Sequence, residues 1–379
     1  MQLSEVRSST VKSLEPRRPI FIYKPEMQLL TLLRTPAYAA AFPRAPLAQF
    51  EIERREPKPH DVLIDILFCG VCHSDIHQAR DEWGGGIFPM VPGHEIVGTV
   101  AKTGSSVREW MPGDVVGVGT VVDSCRECDA CLTGKEQYCE RLTSFTYNGR
   151  EQDGKTPTYG GYSTRITVDE KFVFRMPKSI PMKSAAPLLC AGVTTYSPLR
   201  HYGLEKGDRL AVAGLGGLGH MAVKFGRALG ANVTVISHSP TKRDDALRLG
   251  AVDFVLTQDG DSLRSVAREF DFLLDTVSAG HDYNPLLRLL RTDGTMIIVG
   301  VPGPTLIRPQ SLIDRRRRLV GSMVGGVRET QEMLDFAGKQ GIGADVEVIR
   351  IQDINKAFDR TVSGEVKYRF VIDMNSLAV

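Results

Sequence analysis

The sequence predicts a two-part α/β protein, in which a doubly wound parallel-sheet domain is inserted into a β-rich one. Three observations carry that expectation. From Phe50 to about Cys190 the chain holds short apolar or alternating runs, such as Glu51–Arg54 and Val62–Phe68, separated by turn residues such as Pro57, Pro59 and Asp61. After Cys190 the period changes to strands alternating with helices, with six candidate strands at Arg209–Ala213, Val233–Ser237, Asp253–Thr257, Asp271–Thr276, Thr295–Gly300 and Leu319–Met323. Helices are expected between them at Thr241–Leu249, Ser262–Phe270 and Asp282–Arg291. A sixth strand already completes such a sheet, so the remaining Glu329–Gly341, Val346–Ile351, Ile354–Val362 and Tyr368–Met374 are expected to rejoin the first domain. The expected divisions are an N-terminal extension over 1–34, a β-rich segment over 35–190, the doubly wound domain over 191–325 and a returning segment over 326–379.

A chain of 379 residues is long for a single core. Its 47 Lys and Arg nearly cancel its 45 Asp and Glu, which gives no reason to expect nucleic acid as a partner. No apolar run approaches the ~20 residues that span a bilayer, and the N-terminus lacks the pattern of a secretory signal. A cytoplasmic protein with no membrane partner is expected. Residues 1–34 carry Pro16, Pro19 and Pro25 and no steady period, so they read as an appended segment. Arg7, Arg17 and Arg18 there hint at a transit peptide, but Glu5, Glu15 and Glu26 count against it. Four of the seven cysteines crowd between Cys125 and Cys139, which in a large intracellular chain suggests metal rather than disulfides.

The stretch from Leu210 to Lys224 runs from an apolar strand through a glycine turn into an amphipathic helix. Gly214, Gly216 and Gly219 keep the Gly-x-Gly-x-x-Gly spacing, with Gly217 inside the turn. In that spacing the first glycine makes the turn, the second admits a pyrophosphate and the third allows helix and strand to pack closely. The free N–H groups of the helix start then face an anion. A glycine-rich βα turn is by itself weak evidence. Here Gly230 ends the helix and Asn232–Ser237 supplies the next strand, so a complete βαβ unit surrounds the turn.

Two further clusters bear metal ligands. Cys69-Gly-Val-Cys-His-Ser-Asp-Ile-His-Gln78 follows a strand, Pro92-Gly-His-Glu95 opens another, and Cys190 comes much later. A catalytic zinc takes three protein ligands and keeps one position open, and Cys72, His94 and Cys190 offer two thiolates and an imidazole. Each alone has a plainer reading: Cys190 lies among Leu188, Leu189 and Ala191 as a packing residue would, and Glu95 suits a surface. Cys69, at the end of an apolar strand, reads as a buried thiol. The second cluster, Cys125, Cys128, Cys131 and Cys139, gives Cys-x₂-Cys-x₂-Cys-x₇-Cys, enough to close a tetrahedron and hence a structural zinc. Ferredoxin-type runs continue x₃-Cys-Pro instead. Asp123, Glu127, Asp129 and Glu136 surround these ligands, which speaks against a nucleic-acid finger.

With these motifs in hand, the chain resembles the zinc-dependent medium-chain alcohol dehydrogenases, and among them the cinnamyl-alcohol-dehydrogenase branch with its broad-range aldehyde reductases. The likeness runs from about residue 36 to the end and rests on Gly70–Asp75, Gly93–Glu95 with Gly98 and Gly104, the four-cysteine lobe, Cys190–Thr194 and Gly214–Gly219. The Cys₂His set is the one by which alcohol dehydrogenases themselves hold zinc, and it belongs to the resemblance. The resemblance implies a GroES-like catalytic domain with a Rossmann NADP-binding domain, two zinc ions per chain, a small alcohol or aldehyde as substrate, and a homodimer. It further implies that Cys72, His94 and Cys190 hold the catalytic zinc, with Glu95 as an exchangeable carboxylate and Asp75 orienting a ligand. Ser74 and His77 would form a proton relay, His73 would lie near the pyrophosphate, Thr194 would touch the nicotinamide, and Glu82 and Trp83 would line the substrate cleft. A polyol or formaldehyde dehydrogenase of the same superfamily is the neighbouring alternative; a non-catalytic zinc-bearing NADP(H) sensor and a zinc-lobe interaction module aided by Arg315–Arg318 are the alternatives from other classes.

Cofactor choice follows from the residues after the second strand. NAD-preferring folds place an Asp or Glu about 20 residues beyond the glycine turn to hold the ribose hydroxyls. Here Ser237 stands there, and no acid occurs from Ala231 through Arg243. Ser237, His238, Ser239, Lys242 and Arg243 offer hydroxyls, an imidazole and two cations to a 2′-phosphate, so NADP(H) is expected. The plainer reading of Lys242 and Arg243 is the solvated first turn of a helix.

Overall fold

Residues 32–377 are described by the structure, a computed structural model. The expected extension lies outside the described residues, except that Leu32, Leu33 and Arg34 already belong to a strand, Leu32–Ala39, paired antiparallel with Ala48–Arg55.

A six-stranded parallel sheet has the spatial order Asp253–Leu256, Asn232–Ser237, Arg209–Ala213, Phe270–Asp275, Leu290–Ile298, Arg318–Gly321. This is the doubly wound order with its switch point between the first and fourth strands, where ligands bind such sheets. Strand periodicity sends alternate residues to opposite faces: Leu210 and Val212 enter one apolar cluster, and Ala211 and Ala213 enter the other. Two expected helices are shorter than their sequence pattern. The first is Gly260–Ser265, closed before Arg268, whose φ of +67° no helix accepts. The second is Tyr283–Leu287, because Leu290 is drawn into the sheet beside Phe270. Sheet pairing there overrides helical propensity.

The second sheet has seven strands. Val346–Arg350 and Arg369–Asp373 pair in parallel, and Arg369–Asp373 then pairs antiparallel with Asp61–Gly70. Ile96–Thr103, Val115–Val118 and Phe174–Arg175 follow, and Arg165–Asp169 joins Asp61–Gly70 from the other side. Ile351, Ile354, Phe358, Phe370 and Ile372 share one core with Val62, Ile64, Ile96 and Tyr162, so the C-terminal strands and helix complete the β-rich body. A third cluster joins the helices Ala191–His201, Gly219–Ala228 and Val327–Gln340 through Val193, Tyr196, Phe225, Met333 and Leu334. The arginine run is structural. Buried Arg317 donates to the carbonyls of Leu290 and Ser311, and Arg316 pairs with Asp293. Among the described residues no helix is long and apolar enough to cross a membrane.

Candidate active site

Three separate chain segments deliver one ligand cluster. Cys72 caps the helix His73–Ala79 in extended conformation, and Asp75 closes the capping box by accepting from Cys72 N at 2.8 Å. His94 follows Gly93, whose φ of +104° makes the sharp entry into Ile96–Thr103. Cys190 stands at the N-terminus of Ala191–His201. One ligand atom from each of Cys72, His94, Glu95 and Cys190 lies within 4.8 Å of the others, and all four residues are buried. The two sulfurs are 3.9 Å apart. Tetrahedral zinc with Zn–S bonds of about 2.3 Å sets two sulfurs about 3.8 Å apart, so the donor set fits zinc.

Asp75, fully buried, orients this set. Its Oδ1 accepts from Gly93 N and faces His94 Nδ1, both at 3.1 Å, while Oδ2 also accepts from Tyr162 Oη at 3.1 Å. Engaging Nδ1 leaves Nε2 of His94 for the metal. Glu95 is paired with Arg369 through Oε1, and its Oε2 is buried without a hydrogen-bond partner.

The four-cysteine lobe is a second cluster with no shared residue. Cys131 Sγ lies 3.8 Å from Cys125 Sγ and 3.5 Å from Cys128 Sγ. Backbone N–H groups of Cys125, Cys128 and Glu140 donate to Cys139, Cys125 and Cys128 sulfurs, each at 3.4 Å. Such donors favour thiolates, and four thiolates at tetrahedral spacing fit a closed zinc site.

The glycine turn opens on a cleft of about 340 Å³ at the switch point. Gly214 has φ +87°, and a Cβ on Gly219 would lie 2.2 Å from Gly214 O, so both positions require glycine. Gly216 faces open space and Gly217 packs on the Arg369 side chain. His73, Ser74, His77, Ser237, His238 and Lys242 border the same cleft. Lys242 Nζ donates to Leu215 O at 2.9 Å, and burial holds its pKa below the usual lysine value. Two expected phosphate contacts do not reach the cleft. Arg243, one helix position beyond Lys242 and so turned about 100° around the axis, donates to Phe254 O at 3.1 Å and lies over the Phe254 ring. Ser239 bonds Thr241 Oγ1 at 2.9 Å and is absent from the lining.

A second cleft of about 460 Å³ meets the first at Cys72, Ser74, Trp83 and Val299–Val301. His94, Cys190 and Thr194 form its floor, and Phe145, Tyr147 and Met323 stand in its walls. Thr194 Oγ1 is buried with no hydrogen-bond partner. Ser74 Oγ lies 3.6 Å from Cys72 Sγ. His77 stacks on Trp83 with ring centroids 4.9 Å apart, and its Nε2 is buried and unpartnered. Glu82 borders neither cleft, because its carboxylate is turned to His77 Nδ1 at 2.5 Å. Sequence reasoning missed Tyr147, which stacks on His94 at 5.7 Å, together with Phe145, Met323 and Arg369. The aromatic run Phe145-Thr-Tyr147 just after Cys139 was a usable signal. Arg369, a single cation 274 positions from Glu95, gave none.

Two family models match the chain: the alcohol dehydrogenase GroES-like domain over residues 58–178 and the zinc-binding dehydrogenase over 217–339. An NADP-dependent alcohol dehydrogenase C of Mycobacterium tuberculosis is 51% identical over 342 residues, covering 90% of this chain and 99% of the relative. A probable formaldehyde dehydrogenase of Bacillus subtilis is 50% identical over 345 residues, covering 91% and 99%. The crystal structure of a cinnamyl alcohol dehydrogenase from Helicobacter pylori, complexed with NADP(H), is similar at a TM-score of 0.86 and 39% identity, covering 91% of this chain and 99% of that one. With the two cysteine clusters, the glycine turn and these matches agreeing, the chain belongs to the zinc-containing medium-chain alcohol dehydrogenases, in the branch of the cinnamyl alcohol dehydrogenases and NADP-dependent aldehyde reductases.

Proposed function

We propose that this protein is an NADP(H)-dependent alcohol dehydrogenase and aldehyde reductase with a broad preference for apolar aldehydes. The observation that carries the reading is the meeting of the two clefts at Cys72 and Ser74, directly over the Cys72, His94, Cys190 cluster. Zinc held by those three residues would act as a Lewis acid toward a carbonyl oxygen, and the nicotinamide would exchange the hydride. The chain's own residues handle the proton. Ser74 borders both clefts, which supports its giving a proton to the substrate oxygen during reduction and taking one back during oxidation. His77, fixed by Glu82 and Trp83 with Nε2 turned inward, suits the next carrier toward solvent. Asp75 holds His94, and the unpartnered hydroxyl of Thr194 suits an amide such as that of nicotinamide.

Cofactor preference rests on Ser237 and Lys242 in the cleft, with His238 beside them and no carboxylate at the strand end. The 460 Å³ cleft walled by Phe145, Tyr147 and Met323 is far larger than formaldehyde needs, which favours bulkier aldehydes over the substrate named for the Bacillus relative. The division into a catalytic body of 35–190 with 326–379 and a cofactor body of 191–325 is supported by the pairing of Arg369–Asp373 with Asp61–Gly70. A cytoplasmic homodimer completes the proposal, supported by seven cysteines of which none is paired in a disulfide and by the edge strand Arg318–Gly321 with exposed Leu306 and Ile313 nearby in sequence. Initial rates for a panel of aldehydes with NADPH and with NADH test it. Turnover with NADPH preferred is expected. No turnover by zinc-loaded protein would leave the sensor reading, and equal use of NADH would overturn the cofactor assignment.

A further inference from the structure

We infer that the seven-residue spacer between the third and fourth cysteines, Leu132–Tyr138, is a specificity-determining element: it grips residues 323–328, and through them the structural zinc lobe sets one wall of the substrate cleft. The inference rests on the reading of the 460 Å³ cleft as the site of the aldehyde. Ser322, Met323 and Val324 line that cleft. They belong to the connection between the edge strand ending at Gly321 and the helix beginning at Val327; Ser322 N still donates to Ile298 O of the neighbouring strand at 3.1 Å, whereas Met323 and Val324 lie beyond the strand pairing. Val324 has a φ of +40°, a conformation a β-branched residue keeps only when its surroundings impose it.

The spacer supplies that imposition. Met323 N donates to Tyr138 Oη at 2.9 Å, and Val327 N donates to Glu136 Oε2 at 2.9 Å. Val327 N is one of the donors a helix start leaves without an intrahelical partner, and a carboxylate there also meets the positive end of the helix. Arg328 Nη2 donates to Thr133 O at 3.0 Å. Gly326 approaches so closely that a Cβ on it would lie 1.9 Å from Gly134 O. All four contacts come from the spacer and none from a cysteine. Ligand pairs in zinc sites commonly close with spacers of about two to four residues. Seven residues leave room for the turn Glu136–Tyr138, whose side chains reach the segment from a base pinned by the four thiolates.

Tyr138→Phe keeps the ring and deletes the acceptor. We expect KM for a bulky aryl aldehyde to rise about two- to tenfold, the range for one net hydrogen bond. KM for a two-carbon aldehyde, KM for NADPH and kcat should stay within about twofold, and two zinc ions per chain should remain. Amide hydrogen exchange at Met323 should quicken by a similar factor or more. Glu136→Gln, which retains a carbonyl acceptor, should have the smaller effect, and Leu132→Ala, at an exposed position of the same spacer, should have none. An unchanged KM for the bulky aldehyde together with unchanged exchange at Met323 would overturn the inference. A protein that turned over no aldehyde would sink the reading of the cleft instead, and the exchange rate would still decide whether the spacer holds the segment.

Discussion

Replacing Asp75 with asparagine changes one atom's chemistry and almost no shape, which makes it a sharp probe of the ligand cluster. The carboxylate is fully buried and serves four donors: Cys72 N and Tyr162 Oη on Oδ2, and Gly93 N and His94 Nδ1 on Oδ1. An amide has one oxygen. Whichever way it turns, its NH₂ faces a backbone N–H, of Cys72 or of Gly93, that cannot rotate away. Losing a charge-assisted bond and stranding a buried donor costs about 2–4 kcal/mol together. If the NH₂ faces His94, the imidazole is also pressed to carry its proton on Nε2, the nitrogen that would bind zinc. Loss of such an orienting partner typically weakens metal affinity about 10–100-fold, or about 1.4–2.8 kcal/mol. Dialysis of Asp75→Asn against graded chelator, followed by metal analysis, should show one of two zinc ions leaving at about 10–100-fold lower chelator strength, with turnover lost alongside it. If the variant kept both ions through the same series and retained full turnover, the assignment of Asp75 as the orienting residue would be refuted.

The two clusters should also separate by mutation: Cys190→Ser should give a folded protein without turnover, whereas Cys125→Ser, which opens a closed tetrahedron, should lower Tm or solubility. Full turnover in both would end the two-site scheme. His220 is fully buried against Tyr368, and burial depresses its pKa from 6.5 to about 4. Below about pH 6.5 the unfolded chain binds a proton the fold excludes, so stability present at neutral pH is lost as pH falls toward 4, by at most about 3 kcal/mol from this residue. Denaturation at pH 7 and pH 5 should show a shallower acid loss in His220→Gln; equal slopes would remove His220 as the cause. Ser237→Asp should weaken NADPH relative to NADH by about tenfold or more, about 1.4 kcal/mol, as measured by KM for each cofactor. No relative shift would take Ser237 out of the phosphate site.

Local chemistry explains what was legible in the sequence. The glycine turn was readable because Gly214 needs a positive φ and Gly219 a missing Cβ, both demands written into residue type. The four-cysteine lobe was readable because all its ligands fall within one short stretch. Ser74, Asp75 and His77 could be proposed because the resemblance covered the helix His73–Ala79 that carries them. Helix lengths before Phe270 and Leu290 were not legible, because the positive φ of Arg268 and the pairing of Leu290 with Phe270, both invisible to a local pattern, decide where the helices stop.

Fold class, the four-cysteine cluster and the phosphate turn were readable from residue order, since each depends on backbone constraints or on ligands that lie close along the chain; the Cys72, His94 and Cys190 set, spread over 118 positions, was readable through the resemblance. Where the remaining side chains point was settled by contacts made on folding. Folding turned Arg243 onto Phe254 and Glu82 onto His77, away from the clefts in which both had been expected. It brought Arg369 to Glu95 and Gly217, and it set Tyr138 against Met323. The physical reason is common to all four. A side chain's direction depends on the turn of its helix or strand and on partners that folding brings from distant segments, and neither is fixed by the residues beside it.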